Sequence, residues 1–67
     1  MDRISPMATT GEVLRELGTR LQRYRLQQDR TLEEVATTAG IGTRTLERAE
    51  AGENTTLKTL VKVLRAL

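Results

Sequence analysis

Residues 32–52 read LEEVATTAGIGTRTLERAEAG, two short apolar-periodic segments on either side of Gly40-Ile41-Gly42. At 100° per residue, Leu32, Val35, Ala36 and Ala39 share one face of the first segment, and Leu46, Ala49 and Glu50 share one face of the second. Gly40 stands where a helix closes in the left-handed conformation, with Ile41 as the apolar contact that accompanies such a cap. Thr31, with Glu34 three residues on, has the spacing of a capping box. The stretch therefore predicts two helices, about 31–39 and 43–51, joined by a sharp turn, the second stopped by Gly52.

Upstream, Thr9-x-x-Glu12 repeats the capping-box spacing and opens a helix of about 10–28, whose expected apolar stripe is Leu14, Leu17, Leu21, Tyr24 and Gln28. Gly18 lies in that stripe at a cost of about 1 kcal/mol against Ala, which predicts another helix crossing closely there. Downstream, Thr55 or Thr56 caps a helix of about 56–67 with Leu57, Leu60, Val61, Leu64 and Leu67 as the expected buried stripe. Its polar side carries Lys58, Lys62 and Arg65 and no acid. Residues 1–8, aperiodic and containing Pro6, are expected to be a disordered arm ahead of a single domain over 9–67.

Sixty-seven residues make one small domain. With no Cys and no His, the usual zinc, haem and thiol-redox sites and the nucleophile triads that need a His base are excluded. No acid, base and nucleophile converge in the pattern, so neither an enzyme nor a cofactor is expected. Tyr24 is the one aromatic, and a chain in which Leu and Ala lead the apolar residues favours helix over sheet, which makes the expected class all-α. No apolar run approaches the roughly 20 residues that span a bilayer, and the N-terminus lacks an apolar signal segment, so a soluble, intracellular protein is expected. Eleven Lys and Arg against nine Asp and Glu leave a net charge of only +2. Placement of charge therefore matters more than its total.

Two charged residues fall on apolar faces, Arg25 in the first helix and Glu50 in the third. A lone buried charge costs several kcal/mol, so either the two pair with each other or both snorkel to the rim. The periodicity allows both.

The run from Arg20, RLQRYRLQQDRTLEEVATTAGIGTRTLERAEAGENTTLKTLVKVLRAL, resembles the XRE or phage-repressor (Cro-like, lambda-repressor-like) helix-turn-helix family, the likeness extending from about Leu17 to Leu67. Ala36 matches the small residue where the two motif helices cross and Gly40 the turn glycine. Leu46 and Ala49 match the buried positions of the recognition helix, Glu50-x-Gly52 matches the family's E-x-G end, and LKTLVKVLRAL its following helix. The resemblance implies a small lambda-repressor-like bundle of four helices, or five in a longer chain, and a buried bridge between Arg25 and Glu50. Arg30 stands where the family has a core Leu, a place that Leu26 or the Arg30 stem would fill. Leu32 stands where many members carry a Gln on the DNA backbone, and Ala49 is smaller than the usual Ile or Leu.

The implied function is sequence-specific binding of double-stranded DNA by a cytoplasmic transcriptional regulator of prokaryote or phage type, expected to be a repressor. Its third helix would enter the major groove, with Thr43, Arg44, Glu47 and Arg48 as base-reading candidates and Glu47 expected to orient an arginine. Phosphate contacts are expected from Arg30, Thr31 and Leu32 at the start of the second helix and from Asn54, Thr55, Thr56 and Lys58. A homodimer on a palindromic operator is the expected working form. The alternative keeps the fold: an antitoxin-type regulator that controls its own operon and also binds a partner toxin.

Overall fold

The computed structural model describes residues 8–53 and 55–67. Residues 1–7 of the expected arm, and Asn54, lie outside the described residues. Four helices follow one another: α1 (Thr10–Gln27), α2 (Leu32–Ala39), α3 (Thr43–Glu50) and α4 (Leu57–Ala66). Each boundary falls within one residue of the sequence-based expectation, the difference being whether a cap residue is counted.

Threonine side chains start three of the helices. Thr9 Oγ1 accepts from the Glu12 amide at 3.1 Å and Glu12 Oε1 accepts from the Thr9 amide at 3.3 Å, so both halves of the box are closed. At α2 the corresponding distances for Thr31 and Glu34 are 3.1 and 2.8 Å. Thr56 caps α4 by accepting from the Thr59 amide at 3.1 Å.

The ends of α1, α2 and α3 share one device. In each, a backbone amide two or three residues past the helix reaches back five residues: Arg30 to the Arg25 carbonyl, Ile41 to Ala36, Glu53 to Arg48. The residue between takes a positive φ, at Asp29 (59°), Gly40 (71°) and Gly52 (80°). This is the Schellman stop, which satisfies carbonyls left over at a helix end. Asp is tolerated in the left-handed region because its short polar side chain bonds locally, so α1 stops without a glycine to mark the place.

α1 packs on α3, and α2 packs on both α3 and α4. The α1–α3 contact has the form that Gly18 suggested. A Cβ at Gly18 would lie 2.5 Å from the carbonyl oxygens of Ala49 and Glu50, so the backbone of α1 rests against the end of α3. Gly52 makes the same approach from the other side, where a Cβ would lie 2.5 Å from the Cα of Arg15. The core gathers Leu21, Val35, Ala36, Leu46, Val63 and Ala66, with Leu32, Ala39, Ile41, Leu60 and Leu67 packed around them.

Two expected stripes are rotated. On α1 the buried residues are Gly18, Leu21 and Arg25, whereas Tyr24 is 53% exposed. The close approach at Gly18 turns α1 towards α3 and carries Tyr24 to the surface. On α4 the buried residues are Val63 and Ala66, with Leu57, Val61 and Leu64 left exposed. α4 sets its smaller side chains onto α2, which lets the two helices approach. Its end is fixed by Gln28, which donates to the Leu67 carbonyl at 3.0 Å, and by Arg30, which donates to that of Ala66.

Candidate nucleic-acid interface

α3 divides its residues cleanly. Leu46, Ala49 and Glu50 are buried, while Arg44, Thr45, Glu47 and Arg48 are exposed and Thr43 is half-buried. The charge on the inner face is neutralised: Arg25 Nε donates to Glu50 Oε2 at 2.7 Å and Nη2 to Oε1 at 3.1 Å. This two-pronged arrangement is the strong form of a charged hydrogen bond. A third donor, Nη1, meets the Arg30 carbonyl at 2.8 Å, tying the bridge to the α1–α2 turn. Bonding to Glu50 holds the Arg25 guanidinium above its ordinary pKa, overcoming the opposing effect of burial. Among the described residues no buried side-chain polar atom lacks a partner.

On the outer face Arg44 and Arg48 stand one turn apart with Glu47 beside them. The expected pairing of Glu47 with an arginine is not present among the described residues. Arg48 instead lies 3.9 Å from Glu53, with both side chains more than half exposed, a contact worth little in water. Its origin is the helix stop: Arg48 and Glu53 are the two residues joined by the 2.9 Å backbone bond that closes α3.

The start of α3 differs from the other three. Gly42 is its N-cap, with no side-chain hydrogen bond and no acid in the first turn. The partial positive charge of the helix end, carried by free amides, is therefore neither capped nor offset. Sequence reading passed over both Gly42 and Thr45. The signal was there, since a helix that opens G-T-R-T has no capping side chain at its start and no carboxylate in its first turn.

The expected phosphate contacts are placed unevenly. Thr31 is engaged in its own cap, and the Leu32 side chain packs against the core, leaving the Leu32 and Glu33 amides as the orphan donors of that turn. Glu33 and Glu34 in the same turn oppose an anion. Arg30 is redirected: its guanidinium reaches the Ala66 carbonyl and, at 3.1 Å, Thr38 Oγ1. Arg30 is half-buried, and Leu26, 57% exposed, does not fill the place of the family's core Leu. In the α3–α4 loop Thr55 is half-buried and Thr56 is committed to capping α4, while Lys58, in the first turn of α4, is exposed.

A family model described as helix-turn-helix matches residues 21–67, which covers the second part of α1 and all of α2, α3 and α4. Among curated proteins none matches the chain. No described helix is long and apolar enough to cross a membrane.

Proposed function

The chain belongs to the XRE-type helix-turn-helix family, a family of DNA-binding regulatory domains, and from that membership we propose that it is a sequence-specific transcriptional repressor. It places α3 in the major groove of its operator, whose width of about 12 Å admits one helix. Arg44 and Arg48 are the principal readers, each able to span O6 and N7 of a guanine. Thr43 touches a thymine methyl or a phosphate at the open start of α3. Glu47, unpaired with either arginine, is free to accept from a cytosine N4. The Leu32 amide, Thr55 and Lys58 supply backbone contacts that set the register.

The observation that carries this reading is the contrast between the two faces of α3. One is buried and locked by the Arg25–Glu50 bridge; the other presents two arginines and an uncapped helix start to solvent. Because so few phosphates are neutralised by one small domain, the working form is a homodimer on a palindrome with half-sites about 34–36 Å apart. A second reading, an antitoxin-type regulator that also holds a partner protein, is favoured by the apolar surface left open on α4.

The test is selection of bound sequences from random duplex DNA, repeated with Arg44→Ala plus Arg48→Ala. The wild-type chain should enrich a palindrome, and the double variant should lose it while keeping its helicity and melting temperature. Enrichment of the same operator by the double variant, or no enrichment by the wild type, would refute the assignment.

A further inference from the structure

The turn that stops α3 also places a carboxylate beside Arg48. Gly52, at φ 80°, lies so near α1 that a Cβ on it would meet the Arg15 Cα at 2.5 Å. The next amide, that of Glu53, donates to the Arg48 carbonyl at 2.9 Å. Backbone geometry therefore fixes the point from which the Glu53 side chain starts. Its Oε1 stands 3.9 Å from Arg48 Nε, with both side chains more than half exposed. Glu53 is the one acid within ion-pair distance of Arg48 among the described residues. Glu47 does not take this part, because adjacent residues on a helix do not face each other.

The position of the carboxylate matters for the two arginines. A helical side chain leans towards the start of its helix, which would set Arg48 over Arg44, four residues back, where like charges repel. An acid beyond the helix stop draws Arg48 the other way. The arginines then stay apart along the roughly 6 Å of axis between them, close to two base-pair steps of about 3.4 Å each.

We propose that Glu53 is a positioning residue for base reading, holding the Arg48 guanidinium by its Nε edge so that Nη1 and Nη2 meet O6 and N7 of a guanine. This role rests on the reading of α3 proposed above. The guanidinium is a rigid planar fork, so a partner at one edge sets the direction of the others. In water the contact is screened and weak. In the groove, where water is displaced, the same contact strengthens. Ordering a free arginine on a base costs side-chain entropy, and a carboxylate that has already restricted the side chain removes part of that cost. Glu53 also repels phosphates. Its two effects therefore oppose each other: it weakens binding to any duplex and sharpens the choice of guanine.

The wild-type chain is first used to select its operator from random duplex DNA, and Arg48→Ala identifies the base pair whose selection that arginine controls. Binding of the operator, and of its variants at that pair, is then measured for the wild type, Glu53→Ala and Glu53→Asp. Glu53→Ala should reduce discrimination for guanine at that pair by about two- to fivefold, the span of an exposed ion pair's coupling, and should bind unrelated duplex more tightly. Glu53→Asp, which keeps the charge but is one methylene shorter, should lose the discrimination without gaining affinity for unrelated duplex. In the Arg48→Ala background neither change should alter the preference at that pair. Position 53 is exposed, and both variants should melt with the wild type. Full discrimination by Glu53→Ala, equal discrimination by Glu53→Asp and the wild type, or a loss that persists without Arg48 would overturn the role of Glu53 and leave α3 as the reading helix. An operator that Arg48→Ala selects unchanged, or no operator at all, would instead remove the reading itself and the role of Glu53 with it.

Discussion

Replacing Gly18 with alanine sets two effects against each other. In an unobstructed helix interior the change stabilises by roughly 0.5–1 kcal/mol, because glycine loses more backbone freedom on folding. At Gly18 the added methyl would sit 2.5 Å from two carbonyl oxygens and 2.8 Å from the Glu50 carbonyl carbon. These are backbone atoms of α3 and cannot rotate away, so α1 must withdraw by on the order of 1 Å, an overpacking that costs about 1–3 kcal/mol. The withdrawal also pulls on the bridge, since Arg25 lies on the same buried face of α1 and Glu50 is one of the residues displaced. Hydrogen bonds to charged groups are worth roughly 1.5–3 kcal/mol each when intact. The net expectation for Gly18→Ala is a loss of about 1–3 kcal/mol, with a melting temperature lower by roughly 4–8 °C for each kcal/mol in a domain of this size. Thermal melting followed by far-UV circular dichroism measures it. Gly11→Ala is the control: in the first turn of the same helix the nearest atoms to its Cβ are 3.6 and 4.0 Å away, ordinary contact. That variant should melt at or slightly above the wild type. If Gly18→Ala melts as high as Gly11→Ala, the helices do not meet there as described.

Arg25→Ala leaves the Glu50 carboxylate buried without its partner and should cost about 3 kcal/mol or more by urea unfolding, whereas Arg25→Met with Glu50→Leu should recover much of that loss. A cost for Arg25→Ala within about 0.5 kcal/mol would mean that water reaches the pair. Acid stability depends in part on the capping boxes. Hydrogen bonds from Thr9 hold the Glu12 carboxyl below its ordinary 4.5, the side-chain bond foremost, and those from Thr31 do so for Glu34, the backbone bond foremost. A carboxyl whose pKa is depressed by folding contributes stability above its unfolded value and loses it as pH falls through the folded one. The melting temperature should therefore decline below about pH 4.5, and Glu12→Gln with Glu34→Gln, which keeps the box geometry, should flatten that decline. An unchanged acid slope in the double variant would remove the boxes from the account.

The start and stop signals were the most legible part of the chain. Thr9 with Glu12, Thr31 with Glu34, and Gly40 with Ile41 are local devices, and local chemistry decides them whatever surrounds them. The inner and outer faces of α3 were legible for a related reason, since a helix of eight residues with one large apolar side chain, Leu46, has little freedom in which face it buries. The longer helices were not. Tyr24, Leu57, Val61 and Leu64 follow the helical period as well as the buried residues do, and periodicity cannot tell which apolar side chains meet a neighbour. That choice was made by close approach at Gly18 and by the small residues Val63 and Ala66, where less volume permits more contact. The contacts of Arg30 were not legible for a different reason: its long side chain reaches the Ala66 carbonyl at the end of α4, a partner distant in sequence that no local pattern announces.

The rotational setting of α3 depends on residues turned away from its exposed face. Leu46 is the single large side chain by which α3 grips the core, and Ala49 offers little volume to resist a roll about the helix axis. Resistance comes from directional contacts: the two-pronged bond from Arg25 to Glu50, and the two glycines that let α1 press on the end of α3. A roll of one residue, 100°, would carry Arg44 and Arg48 off the outer face and draw Glu50 out of its bridge. The cost of exposing half of a buried ion pair and stranding the other therefore fixes the rotational setting of α3. The Arg25–Glu50 pair thus sets orientation as much as stability: it holds Arg44 and Arg48 at one angle on the exposed face, where a chain with a larger residue at position 49 could rely on packing alone.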